Sequence, residues 1–202
     1  EAKGCYFYRR GEVIFHEGSH PGGVYCIHQG AVKLYRSDSM GNVVIVRLAK
    51  QGDLLGYRAL LSNERYTATA EALEDTVLCF IPRNVFFELL RGNSDLMVAV
   101  TELLARDLRM AEGRLASLAQ KAVPQRLAEV LLYLRELFGE DESGAVKISM
   151  TRRELAELVG TAPETVIRLL SEFQRKKLIA VDHRAIRILD AAGLAHVAEL
   201  YD

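Results

Sequence analysis

The sequence predicts an α+β chain, an N-terminal antiparallel β-roll of jelly-roll type joined to a helical C-terminal half. Three observations carry this. Residues 12–81 hold short runs of β-branched and aromatic side chains, punctuated by glycines. After Pro82 the period changes, and apolar residues recur at spacings of three and four. The stretch 94–123 keeps that helical spacing with no proline and one glycine, Gly113.

Taken in order, strands are expected at 12–16, 24–28, 31–36, 43–48, 66–72 and 77–81. Gly11, Gly18, Gly22, Gly23, Gly30, Gly41, Gly52 and Gly56 supply the turns. Many short strands with regular turns fit an antiparallel barrel or jelly roll. A short helix is expected at 84–91. The following helix is far longer than the mean of about 11 residues, and one small domain rarely covers both ends of such a rod. Pairing with a second copy is the economical expectation. Val100, Leu104, Leu108, Ala111, Leu115 and Leu118 would form the seam. The alternative is a helix packed only on its own β domain. Pro124 opens a helix at 125–138, and 139–144 is a polar turn. The expected division is a β-roll over 1–92, a dimerisation helix over 93–123 and a third segment over 124–202.

The segment 150–178 carries the strongest local signal. Thr151 is a good N-cap and Glu154 lies three residues on, which makes a capping box. Leu155, Ala156, Leu158 and Val159 form an apolar face, and Gly160 is placed to end the helix. Pro163 suits a first helical position, with Glu164 in the first turn. Val166, Leu169, Leu170 and Phe173 make the buried stripe of a second helix. Two helices joined by a short glycine-containing turn match a helix-turn-helix. Residues 179–181 and 185–189, with a turn at 182–184, read as a hairpin, a wing with Arg184 at its tip.

On the other face of the second helix, Glu164 and Arg168 lie four apart. An arginine can donate to guanine O6 and N7, and a carboxylate can accept from cytosine N4. An ordinary i,i+4 ion pair on a solvated face, contributing about 0.2–0.5 kcal/mol, is the plain alternative. Local charge favours the first reading: residues 147–187 hold nine basic and five acidic side chains, a net of +4, in a chain whose total is −1. A basic surface on an otherwise acidic chain is the footprint of phosphate contacts.

Composition excludes several classes. At 202 residues the chain has room for one large domain or two small ones. No apolar run approaches the roughly 18 residues a membrane span needs. Cys5, Cys26 and Cys79 form no CxxC pair, so neither a disulfide framework nor a zinc finger is expected, and a reducing cytoplasm fits. The chain starts at Glu1 rather than Met, which leaves open an upstream sensing or targeting segment. A cupin-like metal-dependent enzyme shares the β-roll shape. It would need an HxH pair with further ligands, and none exists; His16 and His20 flank a Gly-Ser turn. Neither a metal site nor an enzyme is therefore expected. A non-DNA-binding interaction module is the remaining alternative, and the basic exposed face argues against it.

The run Thr151-Arg152-Arg153-Glu154-Leu155-Ala156, continued by Gly160-Thr161-Ala162-Pro163-Glu164-Thr165-Val166-Ile167-Arg168-Leu169-Leu170, resembles the signature of the Crp/Fnr family of bacterial transcription regulators. The resemblance extends over essentially the whole chain. It implies a cyclic-nucleotide-binding-like β-roll, a long dimer helix and a winged helix-turn-helix. It implies a homodimer on double-stranded DNA whose palindromic half-site contains TGA, with RNA polymerase as a further partner. Glu164 and Arg168 match the family's base-reading residues; Thr151, Arg152 and Thr165 match positions that touch phosphates. Two departures matter. Pro163 stands where the cyclic-AMP receptor branch has a further base-reading Arg, so the outer half-site bases should differ from TGTGA. Ile167 replaces a small residue and is suited to touch a thymine methyl group.

Residues 52–60 and 66–70 resemble the family's phosphate-binding cassette, with Gly56, Tyr57, Arg58, Tyr66 and Thr67 as candidate effector-pocket residues. Cyclic-AMP binders carry a Glu after the second Gly and an Arg-Ser pair in the later segment; here Tyr57, Tyr66 and Thr67 stand there. The charge partner for a cyclic phosphate is missing, with Arg58 the one substitute, so cyclic AMP is not the expected effector. The cassette and residues 72–82 look closer to the fumarate–nitrate reductase regulator branch. Cys79 falls where the iron–sulfur members have their internal cluster cysteine, but a cubane cluster needs four thiolates. Neither an iron–sulfur cluster nor haem is supported, and the effector is left unassigned.

Overall fold

The computed structural model describes residues 4–200; Glu1–Lys3 and Tyr201–Asp202, which the outer segment boundaries include, lie outside the described residues. The chain divides into two compact units, residues 1–113 and 114–202, so the long helix contributes to both.

The first unit holds β1 (Gly4–Tyr8), β2 (Val13–Phe15), β3 (Gly23–Gln29), β4 (Ala31–Ser37), β5 (Val43–Lys50), β6 (Leu54–Leu55), α1 (Tyr57–Ser62), β7 (Thr69–Ala72), β8 (Thr76–Pro82), α2 (Arg83–Gly92) and the first turns of α3 (Ser94–Gln120). The strands form two four-stranded antiparallel sheets, ordered β1-β8-β3-β6 and β2-β7-β4-β5. Alternate residues of each sheet point inward, and Phe15, Ile27, Val32, Leu34, Leu55, Ala70 and Leu78 close the core. The β3–β4 corner needs a glycine. Gly30 has φ +96°, and a Cβ there would lie 2.8 Å from the Asp75 carbonyl oxygen, which no other residue accommodates.

A second apolar cluster lies under the helices, where Val24, Tyr57, Leu60, Phe86, Leu90 and Val100 are buried together and Leu103 and Leu104 pack against them. This corrects part of the expected seam. Val100 is only 4% exposed and belongs to its own β-roll, with Leu104 at the margin. From the N-terminal turns of α3, Leu96, Val100, Leu103 and Leu104 pack into this cluster, so those side chains are taken, while Met97 and Val98 are exposed. The rest of the stripe is open: Leu108, Leu115 and Leu118 are 61%, 69% and 46% exposed, and Ala111 is exposed as well.

The second unit contains the end of α3, then α4 (Val123–Phe138), α5 (Arg152–Val159), α6 (Pro163–Arg175), β9 (Ile179–Asp182), β10 (Ala185–Ile188) and α7 (Ala191–Val197). Its core gathers Leu127, Leu131, Leu155, Val159, Val166, Leu169, Phe173, Ile179 and Leu194. Some elements depart from the sequence expectation. β1, β6, α1 and α7 span seven residues or fewer, too few for a period to stand out, and the strand expected at 66–72 begins only at Thr69. Among the described residues no helix is long and apolar enough to cross a membrane.

Candidate nucleic-acid interface and effector pocket

The helix-turn-helix is fixed at both ends of α5. At its start the Thr151 hydroxyl accepts from the Glu154 amide at 3.1 Å, and the Glu154 carboxylate accepts from the Thr151 amide at 2.7 Å, the reciprocal capping box. The hydroxyl's one proton also goes to Glu154, at 2.9 Å. At the end Gly160 takes the left-handed conformation, φ 74°. The carbonyls left over by the last turn are collected by two arginines. Arg126 donates to Val159 and Gly160, both at 3.1 Å, and Arg114 donates to Leu158 at 2.9 Å. Helix-end carbonyls need such partners, and burial pulls the Arg114 pKa down. The sequence pattern points to neither arginine, because each reaches across more than 30 positions.

That frame sets the direction of α6. Ala162 lacks a side-chain cap, but Pro163 supplies the first-turn geometry without an orphaned N–H. Val166, Leu169, Leu170 and Phe173 are buried on one side. On the other, Glu164 and Arg168 are exposed, Thr165 is half-buried and Ile167 is 50% exposed. The carbonyl of Ile167 accepts from the Ser171 hydroxyl at 2.9 Å. Among the described residues no ion pair joins Glu164 to Arg168, whereas Arg153–Glu157 and Glu172–Lys176 nearby are closed at 3.0 and 2.8 Å. Both side chains are therefore available to an outside partner.

The wing is a tight hairpin. Asp182 pairs with Ala185, which leaves a two-residue turn, and His183 takes φ 50°. Arg184 is exposed there. Arg152 links this turn to the start of α5, its Nη2 donating to the His183 carbonyl at 2.6 Å. Its Nη1 is buried with no hydrogen-bond partner among the described residues, and desolvation lowers its pKa.

In the β-roll the expected cassette residues do come together. Gly56, Tyr57, Arg58, Tyr66 and Thr67 line one cavity with Phe15, Leu34, Arg47, Ala59 and Ala68. Its volume is about 30 Å³, enough for a couple of waters. Three of the chain's own rings, Phe15, Tyr57 and Tyr66, line it. Tyr66 stacks on Phe15 with centroids 3.9 Å apart, and burial pushes its phenol up to about 12. Tyr57 is buried, and its hydroxyl donates to Asp107 of α3 at 2.5 Å. Burial first, and then this bond, raise its pKa. Arg47 Nε lies 3.6 Å and Arg58 Nε 3.8 Å from the same carboxylate. Arg58, the one candidate to replace the missing phosphate partner, thus faces an internal anion. Asp107 and Arg47 are site residues that sequence reasoning misses; the one hint is a carboxylate inside the apolar stripe of the long helix. Among the described residues no group of three or more His, Cys, Asp or Glu is arranged to hold a metal ion.

A β-roll, a long helix, a helix-turn-helix and a wing in this order define a winged helix-turn-helix regulator. Known proteins agree. Residues 6–93 match the cyclic nucleotide-binding domain model and 125–197 the Crp-like helix-turn-helix domain model. The transcriptional activator protein Anr of Pseudomonas aeruginosa is 29% identical, over 94% of this chain and 78% of its own. Among solved structures, FixK2 from Bradyrhizobium japonicum is 25% identical with a TM-score of 0.88, covering 99% of both chains. A transcriptional regulator of the CRP/FNR family from Thermus thermophilus is 30% identical with a TM-score of 0.82, covering 97% of this chain and 98% of its own. The chain belongs to the Crp/Fnr family of transcription regulators, with a helix-turn-helix DNA-binding domain.

Proposed function

We propose that the chain is a homodimeric, sequence-specific regulator that reads a TGA-containing palindromic half-site in the major groove. The observation that carries this is the outward stripe Glu164, Ile167 and Arg168 on a helix whose opposite face is fully buried. Arg168 donates to guanine, Glu164 accepts from cytosine, and Ile167 covers a thymine methyl group. Pro163 contributes no donor, so the outer bases are read differently from TGTGA. Thr165 and Arg184 contact phosphates. Thr151 and Arg152 serve chiefly as positioning residues, since the cap and the wing carbonyl already engage them. Leu108, Ala111, Leu115 and Leu118 meet their counterparts in a second copy, placing two α6 helices on half-sites about 34 Å apart. The regulator works in the cytoplasm with RNA polymerase as a further partner.

Cyclic AMP is not the effector that the residues of the β-roll pocket favour. The Tyr57 hydroxyl is bonded to Asp107, and Asp107 already faces the two arginines that would meet an anion.

Selection from random duplexes tests the reading. Enrichment of palindromes containing TGA, weakening as salt rises, is the expected result. Equal binding to all sequences would reject it.

A further inference from the structure

Three cysteines far apart in the sequence stand in a row across one sheet. Cys5 of β1 is opposite Cys79 of β8, and Cys79 is opposite Cys26 of β3. Directly opposed residues of antiparallel strands project from the same face, so the three thiols share that face. Cys5 and Cys79, 74 positions apart in the chain, bring their sulfurs to 2.9 Å. All three residues are thiols here; Cys5, on the edge strand, is exposed, while Cys26 and Cys79 are half-buried. Neither the recognition surface nor the tyrosine-lined pocket uses them.

We propose that Cys5 and Cys79 are a modification site, a dithiol that a hydroperoxide converts to a reversible disulfide between β1 and β8. The exposed Cys5 thiolate attacks a peroxide oxygen. The O–O bond breaks, leaving Cys5 as a sulfenic acid and releasing water once the departing oxygen is protonated. The Cys79 thiolate then attacks the Cys5 sulfur. The S–S bond forms, the S–O bond breaks, and hydroxide leaves to be protonated as a second water. In sum, two thiols and one hydrogen peroxide give one disulfide and two waters. The backbone needs no rearrangement, because opposed Cα atoms of antiparallel strands lie about 4.5–5.5 Å apart, within the span a disulfide bridges. An exposed edge position also leaves the bond open to attack by reducing thiols. This suits the transient, redox-sensing disulfides of reducing compartments.

The test treats the full chain, purified reduced, with stoichiometric hydrogen peroxide, alkylates remaining thiols and maps peptides without reduction. The expected result is loss of two of the three thiols, a mass lower by two hydrogens and a peptide joining Cys5 to Cys79, all reversed by dithiothreitol. Cys26→Ser should behave identically. Cys5→Ser, an exposed substitution on an edge strand, should leave Cys79 alkylatable. A link between Cys26 and Cys79, an intermolecular Cys5 crosslink, sulfinic acid without a crosslink, or three intact thiols would each overturn the proposal.

Discussion

Arg168 and Arg152 lie a few turns apart in the same motif and do different things. Arg168 is exposed with no ion pair among the described residues, so its five donors are available. Arg152 has one donor committed to His183 and another buried without a partner. The consequences of truncating them should differ. Arg168→Ala should leave folding unchanged and cost about 1–3 kcal/mol of binding to the preferred duplex, with discrimination relaxed at one base pair. Titrations against the selected site and against its single-base variants measure both. A uniform loss across all duplexes would place Arg168 on phosphate instead.

At the scale of elements, what the sequence makes legible is what its local chemistry encodes. Thr151 with Glu154, Gly160, and Pro163 with Glu164 each act within four residues of chain, and α5, its turn and α6 form where those residues put them. Group pairings across the fold are not legible. Arg126 reaches Val159, and Tyr57 reaches Asp107 over 50 positions; nothing in the spacing of either pair announces the other partner. The long helix lies between these cases. Its period is readable, but which turns face its own β-roll depends on where α1 and α2 fall, and α1 is a single short helix after Gly56. Periodicity alone therefore assigns Val100 to the wrong partner. The open remainder of the stripe gives a direct expectation. Leu115→Glu, at a side chain 69% exposed, should leave the helical signal intact and weaken self-association at least about tenfold, since a charge buried at a helix seam is costly. Sedimentation velocity across a concentration series reads this out. An unchanged dimer would assign the seam elsewhere.

Across the molecule, stability should respond to alkaline pH through its buried phenols. Tyr66 is buried, and its pKa is pushed up to about 12 against an ordinary value of 10.0. The neutral form is therefore favoured in the folded chain, and that contribution is fully present below pH 10. As pH rises from 10 toward 12 the unfolded chain ionises first, it binds fewer protons than the native state, and stability falls. The loss from Tyr66 should reach roughly 1–3 kcal/mol. Tyr57 shifts in the same direction. Urea unfolding at pH 8 and at pH 11 should show this decline, and Tyr66→Phe should show less of it. Equal slopes for the two proteins would remove Tyr66 as its source.

The Tyr57–Asp107 bond also has a kinetic meaning. A cavity of about 30 Å³ holds a couple of waters, so a metabolite-sized solute would enter only as the side chains that line it, Tyr57 among them, move apart. In stopped-flow mixing its observed rate should then level off with rising concentration at the frequency of that opening. The ceiling should rise in Tyr57→Phe, which lacks the hydroxyl that bonds Asp107.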